Sequence, residues 1–453
     1  MKTQKSLFLL LVILFTVSFS NGQNNKIEKQ LDQLLSGQFK PTEPGCEILV
    51  AKQGKVIYKK AFGSANLEQN IPLHPDMIFK LASITKQFTA VAILQLVQLG
   101  KISLQDSVQK FIPDFPFKGN TITIENLLTH SSGIRDYMQI EYAGINMERW
   151  DFSPKQLIDS FKNYPLQFVP GTKYSYSNSG YFLLGYIIEK VSGKRYQKYV
   201  QENIITPLGL THTYFDDNGN IIPGRVNGYG REGNGFRNAD YWSPTIAYAA
   251  GGLLSNTEDL YKWISGLLSY KILNKEWLDK AFTGYKLKDG YTISYGYGWY
   301  IEDKGNVKSI EHAGNMNGFV TNEIYYPKQD VFVAILCNRE DAPKDALSKE
   351  ISEIVLGQPL QAGIRISDSL MNSYIGTYAL SLDPKRTIVI TKEKDHLIAK
   401  VSGQDSFDIL FQTTTKFQLQ NVRNAAAEFV IENGKVSKFI FDQNGQFEWN
   451  KIQ

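Results

Sequence analysis

The stretch Leu81–Leu99, LASITKQFTAVAILQLVQL, decides how the rest of the chain is read. From Lys86 onward its polar residues are Lys86, Gln87, Thr89, Gln95 and Gln98. A helix apolar on nearly every side is buried on nearly every side, so the pattern predicts the central helix of a domain core, stopped by Gly100. Ser83 falls at the first turn, where backbone N–H groups lack partners and the helix dipole is positive. Lys86 follows three residues later, on the same helix face. In a dry setting its pKa falls, and a neutral lysine can take a proton from serine. Read alone, the pair is also explained by a helix cap and a solvated lysine. A second Ser-x-x-Lys, Ser107 to Lys110, is read as structural, because Pro113 leaves no room for a long helix behind it.

Outward from this helix the texture is mixed. Lys26 to Leu35 reads as an amphipathic helix. Gly45 to Phe62 alternates and breaks at Gln53-Gly54, a β-hairpin pattern. Thr121 to Leu128 and Gly180 to Val191 read as helices, and Ile221 to Tyr241 as a long loop over a cleft. Ser255-x-x-Glu258 reads as a capping box for another helix. Strands are expected at Gly296 to Ile301, Gly318 to Tyr326 and Val331 to Cys337, with a last helix at Ala346 to Leu356. The fold class expected is therefore α+β. An antiparallel sheet is built from both ends of the domain, and helices cover both faces. Cys46 and Cys337 fall in strand-like runs and are read as two buried thiols.

Residues 24–356 form this first domain and 357–365, with Gly357-Gln358-Pro359, a linker. From 366 to 453 about eight short strands recur with polar turns and no helix, which predicts a small all-β up-and-down barrel.

The 453 residues carry a net charge of only +4, so no nucleic-acid partner is implied. The N-terminus has a basic end at Lys2 and Lys5, an apolar stretch from Leu7 to Phe19, and small residues around Ser18 and Ser20. Residues 1–22 are read as an export signal, which makes the mature protein periplasmic or secreted, without a membrane span. No His-Glu-x-x-His or other metal spacing occurs, so neither a metal nor any other cofactor is expected. There is no Gly-x-Ser-x-Gly either, which argues against an α/β-hydrolase. The oligomeric state is left open.

Three motifs stand in chain order: Ser83-Ile84-Thr85-Lys86; Tyr176-Ser177-Asn178 within PGTKYSYSNSGY; and His312-Ala313-Gly314 within IEHAGNMNGF. The set resembles the serine β-lactamase and penicillin-binding-protein superfamily. The branch it is most similar to holds the class C β-lactamases, D-alanyl-D-alanine carboxypeptidases, D-aminopeptidases and esterases, in which Tyr-x-Asn replaces Ser-x-Asn. LLTHSSGI at 127–134 and GGLLSNTEDL at 251–260 match as well. The likeness covers roughly residues 26 to 356, and the C-terminal strands resemble a lipocalin-like barrel. Such a barrel shapes the cleft mouth, binds a partner, or only caps the fold.

The resemblance implies that Ser83 is the nucleophile of an acyl-enzyme, that Lys86 helps deprotonate it, and that Tyr176 is a general base held as phenolate. Asn178, His312, Gly314 and Asn315 become substrate-binding residues. Asn178 holds Lys86 and the substrate amide, and Gly314 lets the substrate backbone approach. The backbone N–H groups of Ser83 and Asn315 form the oxyanion hole. His130, within LLTHSSGI, is read as structural. β-Lactamases of this type usually carry lysine where this chain has His312. A histidine is charged only part of the time, so efficient penicillin hydrolysis is not expected. The expected function is an exported serine hydrolase acting on small D-residue peptides or amides, or small esters. A genuine β-lactamase and a penicillin-binding sensor without turnover are the alternatives.

Overall fold

The computed structural model describes residues 24–453 apart from 117–118, 141–146, 305–306, 359–362, 395, 404–405, 421 and 423–424. The predicted export signal and the middle of the predicted linker lie outside the described residues. Helix α1 covers residues 24–38. Strands β1 (Cys46–Lys52) and β2 (Lys55–Phe62) form the expected hairpin. Helices α2 (Thr85–Gln98), α3 (Asn178–Ser192), α4 (Pro244–Gly251) and α5 (Thr257–Leu268) follow. Then come β3 (Tyr300–Lys304), β4 (Val307–Met316), β5 (Phe319–Tyr326), β6 (Val331–Cys337) and α6 (Lys344–Leu356).

The six strands form one antiparallel sheet in the order β3-β4-β5-β6-β1-β2, so both ends of the chain segment meet at the β6–β1 pair. One face carries Leu49, Ala51, Phe332, Ala334 and Leu336 against α2, α3 and α5. The other carries Ile48, Val50, Val333 and Ile335 against α1 and α6. Helices on both faces explain why β1 and β6 are apolar without alternation. Cys46 and Cys337 are direct cross-strand partners, and both are free, buried thiols.

Helix α2 is the buried centre of the first face: twelve of its fourteen residues are buried, Lys86 included. Ser83 precedes it in a 3₁₀ turn, Ala82–Ile84. Two local expectations shift. The cap of α5 is Asn256, whose side chain accepts from Asp259 N, because Ser255 ends a short strand. Within the expected loop over the cleft, Tyr229–Glu232 and Gly235–Asn238 pair as a hairpin; its surface residues are polar, so no apolar alternation announced it.

The C-terminal part is a closed barrel of eight antiparallel strands, each paired with the next in sequence and Gly376–Leu380 closing on Gln446–Lys451. Its interior is filled by Tyr378, Phe411, Phe417, Phe429, Phe439 and Trp449. A short helix, Asp368–Tyr374, precedes it, contrary to the expectation of no helix there. Ser367 caps that helix, and Tyr374 stacks on Phe429 with centroids 3.9 Å apart. Seven residues are too few for a helical period to show against the strand pattern.

Candidate active site

The turn that carries Ser83 is held under strain and from several sides. Ala82 adopts φ +49°, which a residue with a Cβ rarely takes up. Leu81 N donates to Leu253 O at 2.9 Å, and the Thr321 hydroxyl donates to Leu81 O at 2.9 Å. β4 passes just beside it. A Cβ on Gly314 would lie 2.2 Å from Leu81 O and 2.4 Å from Thr321 Oγ1. The absence of a side chain at Gly314 thus permits the close approach of the chain's own Leu81–Ala82 turn.

Lys86 Nζ lies 3.0 Å from Ser83 Oγ, 2.8 Å from Asn178 Oδ1 and 2.7 Å from the Ala250 carbonyl oxygen. It also stands 4.9 Å from the centroid of the Tyr176 ring. The Ala250 carbonyl reaches it because α4 is kinked at Tyr248, with φ +36°. Burial pushes the Lys86 ammonium down to about 7, against a smaller opposing effect of the Asp136 carboxylate. A neutral amine has two N–H bonds and a lone pair. Here the N–H bonds have Asn178 and Ala250 as acceptors, leaving the lone pair for the Ser83 hydroxyl.

Tyr176 is brought to the same place, with its phenol in hydrogen-bond contact with Ser83. Its burial pushes the phenol well above its usual value, which outweighs the Ser83 contact. The phenolate that the resemblance implies is therefore not favoured, and Lys86, the neighbouring amine, itself resists being charged. The segment carrying Tyr176 is clamped by His130. Ser175 N donates to His130 O at 2.9 Å, Ser177 N donates to His130 Nδ1 at 3.1 Å, and the two rings lie 4.3 Å apart. Because Nδ1 accepts, the ring is neutral. Burial, then the charge of Lys86, holds it well below the usual histidine range.

Asn178 opens α3. Its Nδ2 donates to Asp136 Oδ2 at 2.9 Å while its Oδ1 accepts from Lys86. Sequence reasoning passed over Asp136 and dismissed His130. Both lie in or just beyond LLTHSSGI, but the contacts that tie them to the site, Asp136 with Asn178 and His130 with Ser177, span more than forty positions.

His312 is 1% exposed. Its Nδ1 lies 2.7 Å from the Ala313 carbonyl, which can only accept, and its Nε2 lies 3.1 Å from the Tyr295 hydroxyl. Both ring nitrogens have partners inside the protein, and the residue lines the cleft. Asn315 is exposed and lines the cleft.

The cleft has a volume of about 790 Å³ and is lined by Ser83, Tyr176, Asn178 and His312. Tyr137, Met138, Trp242 and Met316 supply apolar surface. Asp442 and Asn444 on a barrel turn complete the wall. The Tyr291 hydroxyl donates to Asp442, and Ser294 N donates to Asn444 Oδ1 at 3.2 Å, so the barrel takes part in shaping the cleft mouth. Among the described residues no cluster of three or more His, Cys, Asp or Glu could hold a metal ion, and no helix is long and apolar enough to cross a membrane.

Comparison with known proteins agrees with this architecture. Penicillin-binding protein 4* of Bacillus subtilis is 28% identical over 429 residues, covering 88% of this chain and 93% of that protein. Protein flp of Staphylococcus aureus is 29% identical over 325 residues, 69% of this chain but 63% of its own length, so the chain spans just under two thirds of that relative. Among solved structures, the octameric penicillin-binding protein homologue from Pyrococcus abyssi superposes with a TM-score of 0.65 at 26% identity, covering 93% of this chain and 99% of that one. A D-stereospecific amidohydrolase from Streptomyces sp. superposes with a TM-score of 0.61 at 27% identity, covering 71% and 96%. The family model described as Beta-lactamase matches residues 25–356, and the chain belongs to that family of serine hydrolases related to the penicillin-binding proteins.

Proposed function

We propose that this protein is an exported hydrolase that forms an acyl-enzyme on Ser83 and acts on small D-residue amides or peptides, or on small esters. The observation that carries the reading is a lysine amine buried 3.0 Å from a serine hydroxyl, with its pKa lowered to about 7. Ser83 Oγ attacks the substrate carbonyl as its proton passes to Lys86 Nζ. The negative charge on the former carbonyl oxygen is met by the backbone N–H groups of Ser83 and Asn315, each such donor being worth about 100- to 1000-fold in rate. The Tyr176 phenol, protonated at rest, gives its proton to the departing amine or alkoxide as the carbon–nitrogen or carbon–oxygen bond breaks. Lys86 returns the serine's proton to the phenolate. Water then attacks the ester, its proton passing through the same groups to Ser83 Oγ as the acid leaves.

The tied His312 ring supports amides and esters over β-lactams, since its two nitrogens are engaged by Ala313 and Tyr295 where β-lactamases of this type carry a lysine. The D-stereospecific amidohydrolase among the similar structures supports the D-amide preference. Export rests on the basic and apolar pattern of residues 2–20.

The test is a fluorescent fluorophosphonate probe on wild type and Ser83→Ala. It is followed by D-amino-acid amides, D-Ala-D-Ala peptides, p-nitrophenyl acetate and nitrocefin assayed side by side. Labelling confined to Ser83 and steady turnover of amide or ester are expected. Labelling that survives Ser83→Ala sinks the assignment, and a single burst without turnover would make the protein a sensor.

A further inference from the structure

Lys86 does not meet a carboxylate directly; it meets one through an amide. Asp136 is 5% exposed and lies in the segment after LLTHSSGI. Its Oδ2 accepts from Asn178 N at 3.1 Å and from Asn178 Nδ2 at 2.9 Å, and its Oδ1 accepts from Met138 N at 3.0 Å. It thus occupies the N-terminus of α3, where Ser177 gives no side-chain cap and where the helix dipole favours an anion.

The segment is pinned there independently. The Ser179 hydroxyl donates to Arg135 O at 2.8 Å and accepts from Tyr137 N at 2.9 Å, so the residues on both sides of Asp136 are tied to the first turn of α3. With Nδ2 committed to the carboxylate, the Asn178 amide has one orientation: its oxygen faces Lys86 Nζ at 2.8 Å. The other groups around Nζ are the Ser83 hydroxyl, the Ala250 carbonyl, and the rings of Tyr176 and Tyr181. The neutral imidazole of His130 lies against Tyr176, and His312 lies beyond it. Among the described residues, Asp136 is the carboxylate whose charge bears on Lys86.

We infer that Asp136 is a positioning residue for the reaction at Ser83. Its carboxylate orients the Asn178 amide and, through it, sets how readily Lys86 Nζ holds the proton taken from serine. This rests on the reading of Lys86 as the base for Ser83. In Asp136→Asn one of the two acceptors becomes an NH2, which faces either the Asn178 donors or the Met138 N–H. In both cases the charge that stabilises the protonated amine is gone, so the amine loses its proton at lower pH. An opposite charge close to an ionisable group shifts its pKa by roughly one to three units, and one placed an amide away falls at the lower end.

The experiment follows the acylation burst with p-nitrophenyl acetate as a function of pH, over a range well to either side of neutrality. In the wild type the burst rate rises with pH as Lys86 becomes neutral. In Asp136→Asn that rising limb should move to lower pH by about one unit, and in Asp136→Glu, which keeps the charge, it should stay near the wild-type position. Ser179→Ala keeps the carboxylate but loosens its hold, and should move the limb the same way by less. Ser179→Ala decides the question if Asp136→Asn does not fold. A limb that stays in place while the rate drops uniformly means a structural role only and overturns the inference. A burst that persists in Ser83→Ala instead removes the underlying reading of Ser83, an outcome separate from the first.

Discussion

Gly314 and Leu81 touch backbone to backbone: a methyl group on residue 314 would sit 2.2 Å from the Leu81 carbonyl oxygen. No side chain can swing away to relieve that overlap, because the obstacle is the strained turn that presents Ser83. Gly314→Ala should therefore act twice. Overpacking of this kind costs about 1–3 kcal/mol of stability, readable as a lower midpoint in urea unfolding. A displaced Ser83 should also lower kcat by about 100-fold, the scale expected for a misplacement of an ångström. A variant with wild-type kcat would mean that the turn is not set by this contact.

His130 is not among the residues lining the cleft, yet it holds the residues on both sides of Tyr176 and packs against the ring itself at a tilt of 35°. His130→Ala should lower kcat for p-nitrophenyl acetate by about 100-fold with little change in KM, since orientation is lost and substrate contact is not. A rise in KM at constant kcat would place His130 in substrate binding instead. Because its ring is held neutral well below the usual histidine range, it should contribute no inflection to the pH–rate profile near neutrality.

How much of this could be read beforehand depends on how local the cause is. Helix α2 was legible because its own residues show that it is buried all round. The barrel was legible because each strand is a short apolar run closed by polar turns. The serine and lysine were legible as a pair from their spacing at a helix start, whereas the tyrosine and asparagine were legible only through the resemblance of Tyr176-Ser177-Asn178 to a family motif. Asp136 and His130 were not, since their importance lies in partners such as Asn178 and Ser177, and nothing in a single sequence joins residue 136 to residue 178. His312 was legible as a position but not as a state. Its ring is engaged by Ala313 and by Tyr295, and Tyr295 precedes a loop, Gly296 to Trp299, that takes the place of the first four residues of a predicted strand. Gly298 in that loop takes φ +92° and packs on the backbone of Lys86 and Gln87.

Cys46 and Cys337 face each other across β1 and β6 without exposure to solvent. Burial pushes the Cys46 thiol well above its usual value, and its hydrogen bond with Cys337 adds to the shift. Since the thiolate is the reactive species, the native protein should be inert to Ellman's reagent at neutral pH. Unfolding in guanidinium without reductant should release both thiols. A denatured chain that remains unreactive until reduced would show a disulfide between them.

Lys86 links activity to stability. Its pKa falls from an ordinary 10.5 to about 7 on folding, through burial. Between these values the unfolded chain binds a proton that the native protein lacks, so native stability rises with pH, by about 1.4 kcal/mol per unit at its steepest. Below about pH 7 both states hold the proton, and the full cost of the buried charge stands. Lys86→Met removes that titration and, with it, hydrolysis. The unfolding free energy of the wild type minus that of Lys86→Met should therefore be flat below neutrality and climb above it, because every other titrating group is common to both proteins. Urea unfolding of the pair at a series of pH values measures the difference directly. A difference that does not vary with pH would mean that Lys86 keeps its solution pKa in the folded protein, and that it is no base for Ser83.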